Sequence, residues 1–172
     1  MHDNTMLEDY LLSTMKRLCP IFKPANAAKV TGDNSVDDIL GATTPFARVT
    51  DAFGPSTMSS SRMIFGAPAT LRDSLEHRYS LSKWPLFDFV ILESNAGLAW
   101  DCFFERRVGV PVPPIQGMMD LSQWSHIESE VRAALGPPSS DEAWPPWESA
   151  IYRRDGASAS LCYVFRLLQS VA

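Results

Sequence analysis

Residues 87–107 read FDFVILESNAGLAWDCFFERR. The stretch is strongly apolar, yet it carries Asp88, Glu93, Asp101 and Glu105. Two runs, 86–93 and 98–106, flank Ser94-Asn95-Ala96-Gly97. Asn and Gly tolerate the left-handed backbone that tight turns need, so the pattern predicts a β-hairpin. One face then collects Phe87, Phe89 and Ile91 with Trp100, Cys102 and Phe104. A slip of one residue would scatter these groups, so burial selects this register. The other face carries Asp88, Val90 and Leu92 with Asp101, Phe103 and Glu105. Three carboxylates share that side, within about 5–8 Å across or diagonally between strands.

Outward from the hairpin, residues 5–18 (TMLEDYLLSTMKRL) place Leu7, Tyr10, Leu11, Thr14 or Met15, and Leu18 on one helical stripe. Thr5 and Glu8 have capping-box spacing, and Pro20 stops the element. Residues 35–40 suggest a short helix ended by Gly41, 46–53 a strand, 54–62 a polar loop, and 63–65 a short apolar strand. After Pro68, ATLRDSLEHRY predicts a helix with Leu71, Leu75 and Tyr79 on one face. Arg72–Glu76 and Asp73–His77 would pair at i,i+4 on its other side. VGVPVPPIQG reads as an extended connection.

Residues 121–135 predict a further helix, with Asp120 as N-cap, Gln123 at the box position, and Trp124, Ile127, Val131 and Leu135 buried. Gly136 and its prolines end it, and 136–149 reads as an irregular loop. Asp155-Gly156 marks a turn before a final strand in SLCYVFRLLQSV. Helices and strands do not alternate strictly. The expected fold is therefore a single α+β domain over 1–172. It has a mainly antiparallel or mixed sheet, the 86–106 hairpin at its centre, and three or four flanking helices.

The chain has 172 residues, 45% hydrophobic and 20% charged, with a formal net charge of −5. That is ordinary globular composition, long enough for a core without staples. The acidity argues against general nucleic-acid binding, which needs a basic surface. No run approaches the ~18 apolar residues of a bilayer span, and no signal peptide is read at the start. Cys19, Cys102 and Cys162 form no CxxC pair, which points to thiols in a reducing, cytoplasmic setting. Cys19, at a helix end, is the thiol most open to reaction.

Catalytic signatures are absent. There is no G-x-S-x-G elbow, no phosphate loop, no H-E-x-x-H and no Cys/His ligand spacing, and no cofactor is implied. His77 and His126 each have an acid at four residues' distance, Asp73 and Glu130. On a helix these are surface pairs. The serines of 59–62 offer an anion hydroxyls, though a polar loop explains them more simply. Arg106-Arg107 and Arg153-Arg154 read as surface ion-pairing groups.

Trp144 and Trp147 sit in the acidic, proline-rich DEAWPPWE segment. Aromatic anchors flanked by acids are what a protein-binding surface uses. The expectation is a non-catalytic protein-binding module, a small acidic cytoplasmic inhibitor of immunity type that neutralises a partner protein, possibly basic, such as a toxin. Asp141 and Glu142 beside Trp144 and Trp147, then Glu128 and Glu130, would meet that partner. The alternatives are a metal-dependent hydrolase or nuclease using Asp88, Asp101 and Glu105, and an accessory subunit of a larger assembly.

Overall fold

The computed structural model describes residues 5–19, 70–72, 75–97, 99–154 and 156–172. The elements expected between 35 and 65, with the serine-rich loop, lie outside them. In chain order the elements are α1 (Thr5–Leu18), β1 (Thr70–Arg72), β2 (Glu76–Ser80), β3 (Phe87–Glu93) and β4 (Ala99–Arg106). A 3-10 turn at Met118–Asp120 and α2 (Glu128–Leu135) follow. The chain closes with β5 (Ser140–Trp144), β6 (Trp147–Arg154), β7 (Ala157–Val164) and β8 (Leu167–Val171).

The described residues are mostly β. Two antiparallel sheets form, ordered β1-β2-β3-β4 and β5-β6-β7-β8. The expected α+β plan, one mixed sheet with three or four flanking helices, is therefore wrong. Only two α-helices are present among the described residues. Three local misreadings account for the difference.

The first is the helix expected over 69–79, whose described residues form β1 and the start of β2 instead. Arg72 and Glu76, expected one helical turn apart, are instead opposite each other in the β1–β2 pair. Strand β2 alternates, burying His77 and Tyr79 while Glu76, Arg78 and Ser80 turn outward. Pairing with β3 sets Tyr79 beside Phe89 and His77 beside Ile91, a non-local gain that overrides the helical spacing of Leu71, Leu75 and Tyr79.

The second is 121–127. The helix begins only at Glu128. Before it, Trp124 has a left-handed backbone (φ 61°) and donates its N–H to Leu168 O (2.8 Å). Leu168 N donates to His126 O (3.0 Å), and Ile127 bridges Leu167. The segment runs along β8 and satisfies that edge of the second sheet. The N-cap is Ile127, whose N–H is taken by Glu130 Oε2 (3.1 Å), not Asp120.

The third is the chain end. The 136–149 segment holds β5 and the start of β6, joined through Pro145-Pro146, and the single final strand is two, β7 and β8. Their turn uses Phe165 (φ 52°) and Arg166 (φ 62°), both left-handed as a two-residue hairpin requires, but without the usual Asn or Gly. Tertiary contacts hold it. Phe165 packs edge-on against Phe89 with centroids 5.3 Å apart, and Phe104 N donates to Phe165 O (2.9 Å).

The faces of the hairpin agree with the sequence, since Phe89 lies opposite Phe104, Ile91 opposite Cys102 and Asp88 opposite Glu105, but an irregularity between Leu92 and Glu93 shifts the pairing from that of a simple two- or four-residue loop. The hairpin is not the centre of one large sheet, however. Strand β4 closes the first sheet and meets the β7–β8 turn of the second. One core packs α1 (Leu7, Leu11, Leu12, Met15) on Phe87, Phe89, Ile91 and Phe104, with Trp84, Trp124 and Phe165. A second core lies between α2 and the β6–β8 face, around Val131, Leu161, Tyr163 and Leu168. Glu8, expected at a capping-box position, has its carboxylate engaged elsewhere. It is buried and accepts from Ser82 Oγ (2.9 Å) and Lys83 N (3.0 Å), pinning α1 to the β2–β3 connection.

Candidate functional site

The residues expected to meet a partner come together only in part. Glu128 and Glu130 lie on the first turn of α2, Asp141, Glu142 and Trp144 on β5, and Trp147 opens β6. All five residues of β5 are exposed, and β5 is the terminal strand of its sheet. Trp144 stands 69% exposed, its indole N–H held by Glu142 Oε1 (2.9 Å). Trp147, directly across the strand pair, instead packs half-buried against the main core. The two tryptophans thus have opposite roles, which strand alternation alone does not predict because they form a cross-strand pair beside the turn.

Arg132 on α2 joins the helix to β5. Its Nε donates to Glu128 Oε1 (2.5 Å) and its Nη2 to Asp141 Oδ2 (3.2 Å). Beneath this network lies a crevice lined by Glu128, Arg132, Asp141, Glu148 and Tyr163, with a volume of only about 20 Å³. That is room for about one water, not for a substrate. Burial, then the charge of Glu128, pushes the Glu148 carboxyl above its usual range. Burial likewise pushes the Tyr163 hydroxyl up.

Glu130 faces the interior. It forms a two-pronged ion pair with Arg106, so it belongs to the framework rather than the exposed face.

The carboxylates of the hairpin do share one side, as expected, but each is held by an arginine, one at the end of the hairpin itself and two from other elements. Arg107 Nε donates to Asp88 Oδ1 (2.8 Å), which also accepts from Ser80 Oγ (3.0 Å). Arg78 pairs with Glu105. Arg166 Nη2 donates to Asp101 Oδ2 (2.7 Å) while its guanidinium lies over the Phe103 ring at 4.2 Å. Among the described residues no group of three or more His, Cys, Asp or Glu is arranged to hold a metal ion.

Sequence reasoning missed two buried histidines. His77, expected on a helix with Asp73, is fully buried in β2 and lies 2.7 Å from Glu93 Oε2. Glu93 is therefore engaged, not simply solvated. His126 is buried between Ser125 Oγ (2.6 Å) and Pro113 O (3.2 Å), while Glu130 pairs with Arg106 instead. Strand alternation in EHRYS was the available signal for His77; none existed for His126.

A larger hollow of about 460 Å³ lies between Met118, Met119 and the ends of β6, β7 and β8. Its lining offers Arg154 and Ser158 but no side-chain carboxylate, imidazole or thiol, and so no acid–base pair. No helix among the described residues is long and apolar enough to cross a membrane.

No protein-family model matches the sequence, and no curated protein matches it. Among solved structures, the chain is similar to the crystal structure of a DUF4309 family protein (YjgB) from Bacillus subtilis. The identity is 14%, covering 69% of this chain and 77% of that one, with a TM-score of 0.31. A likeness that low carries no argument about fold or function.

Proposed function

We propose that the chain is a non-catalytic protein-binding module, a small acidic cytoplasmic inhibitor of immunity type that neutralises a partner protein such as a toxin. The partner docks along β5 around Trp144. The observation that carries this reading is the contrast between the two ends of the second sheet. The β8 edge is covered by 124–127, whereas β5 is the other edge and all five of its residues are exposed.

An exposed edge strand is a template for strand addition, and an exposed indole is a strong anchor. Asp141 and Glu142 favour a basic partner. They disfavour a second copy of this chain. A two-fold antiparallel pairing centred on Glu142 would set that carboxylate against its own counterpart, and like charges directly opposite destabilise a sheet.

The test compares Trp144→Ala with Asp141→Lys/Glu142→Lys in affinity capture from native cells, with binding then measured against the captured partner. Trp144→Ala should weaken binding at least tenfold while changing folding stability by less than about 0.5 kcal/mol. Undiminished binding by both folded variants would rule out this surface.

A further inference from the structure

We infer that Cys19 and Cys162 form a cross-linking site, at which a disulfide joins the end of α1 to β7 when a small-molecule disulfide such as oxidised glutathione supplies the oxidising equivalent. The two residues are far apart in sequence but meet in space. Cys19 follows the last residue of α1, and its N–H bonds to Met15 O (2.9 Å), which fixes it on the helix end. Its side chain is wholly buried, and its Sγ donates to Ser170 Oγ (3.7 Å). Ser170 on β8 is the register partner of Cys162 on β7. Cys162 packs against the same core cluster that holds Cys19, and the Cys19 thiol acts directly on the Cys162 thiol. The Cys19 sulfur therefore sits against the hydroxyl of the cross-strand partner of Cys162, at the packed helix–sheet boundary.

Cys102 differs. It lies opposite Ile91 in the first sheet, and the charged groups acting on its thiol are Asp101 and Arg166. Nothing brings it to a second sulfur among the described residues.

Access sets the order of events. Cys162 is half-buried, whereas Cys19 has no exposed surface. The Cys162 thiolate, its proton lost to solvent, attacks one sulfur of oxidised glutathione and releases one glutathione thiolate. The Cys19 thiolate then attacks the Cys162 sulfur of the mixed disulfide and releases the second. Two protein thiols become one disulfide, and one small disulfide becomes two thiols. The neighbouring Cys19 thiol and burial push the Cys162 thiol up, so the first step is slow at neutral pH and faster in alkali. The bond would tie an N-terminal helix to the C-terminal sheet and close most of the chain into one loop. This inference is independent of the proposed binding surface.

The test incubates the full chain with oxidised glutathione at alkaline pH, alkylates the remaining thiols, and maps unreduced peptides by mass spectrometry. The expected result is a Cys19–Cys162 linked peptide, with Cys102 carrying the alkyl group. Tm should rise by on the order of 5–10 °C, from the long loop closed in the unfolded chain. Cys19→Ser should stop at the Cys162–glutathione mixed disulfide. A link through Cys102, a wild-type chain that stops at the mixed disulfide, or three unreacted thiols would each overturn the inference. If Cys19→Ser does not fold, the wild-type map alone decides.

Discussion

Arg106 and Glu130 form a two-pronged ion pair that ties the last residue of β4 to the first turn of α2. Arg106 Nε donates to Glu130 Oε1 (2.5 Å) and its Nη2 to Oε2 (2.8 Å), with the side chains only 7% and 10% exposed. The same guanidinium donates to Ser125 O (2.7 Å) and lies over the Phe87 ring at 4.6 Å. Glu130 also accepts the N–H of Ile127, the N-cap of α2. One carboxylate thus joins the first sheet, the β8-covering segment and the helix.

Glu130→Ala should therefore cost about 3–5 kcal/mol, because it strands a buried guanidinium and removes the cap. Urea unfolding measures it. The double change Arg106→Met/Glu130→Leu should recover much of that loss, since the charge left behind, not the missing pair, carries the cost. A Glu130→Ala chain within about 0.5 kcal/mol of wild type would contradict the structural role assigned to this pair.

Glu148 faces Tyr163 across β6 and β7, and burial with the Glu128 charge holds its carboxyl above the ordinary 4.5. The folded chain therefore binds this proton more tightly than the unfolded chain does. Its stabilising contribution is complete below 4.5 and is lost as pH rises through the raised folded value. Glu148→Gln should be more stable than wild type at neutral pH, by no more than about 1 kcal/mol given its partial exposure. The advantage should vanish in acid. Thermal melts of both chains across pH would reveal it, and a less stable Gln variant at neutral pH would refute it.

Arg166 sits at φ 62° in the β7–β8 turn and pairs with Asp101. Arg166→Ala should lose about 1 kcal/mol, since it keeps the left-handed strain and removes the pair. Arg166→Gly should stay within about 0.5 kcal/mol of wild type, because relief of strain offsets the lost pair. Equal losses in both variants would show that the backbone at Arg166 carries no strain. Magnesium, manganese or calcium should leave the Tm of the wild-type chain unchanged, as arginines already hold Asp88, Asp101 and Glu105.

The 87–107 hairpin was legible because its signal is local. Phe87, Phe89 and Ile91 alternate with Asp88 and Val90, the return strand mirrors them, and Asn95-Ala96-Gly97 supplies the turn. The α1 stripe was equally legible, since Leu7, Leu11 and Met15 recur at helical spacing. The candidate surface was legible as composition only. That Trp144 projects while Trp147 packs, and that Glu130 turns inward, depended on which strands and helices surround them.

The amino-acid sequence by itself determined those elements whose stabilising contacts lie within about twenty residues: the hairpin, which residues share each of its faces, and the first helix. Tertiary structure alone decided the rest. Strand β2 exists because β3 covers it, 121–127 is a turn and a bridge rather than a helix because β8 offers it hydrogen bonds, and the β7–β8 turn adopts a costly backbone because Phe165 has a core to enter. Likewise, Glu105 and Asp101 of the hairpin are neutralised by Arg78 and Arg166 from other elements, and Cys19 reaches Ser170, the cross-strand partner of Cys162, across nearly the whole chain. Each is a choice between local preferences worth about 1 kcal/mol and burial or hydrogen bonding worth several, and the partners that tip the balance are distant in sequence.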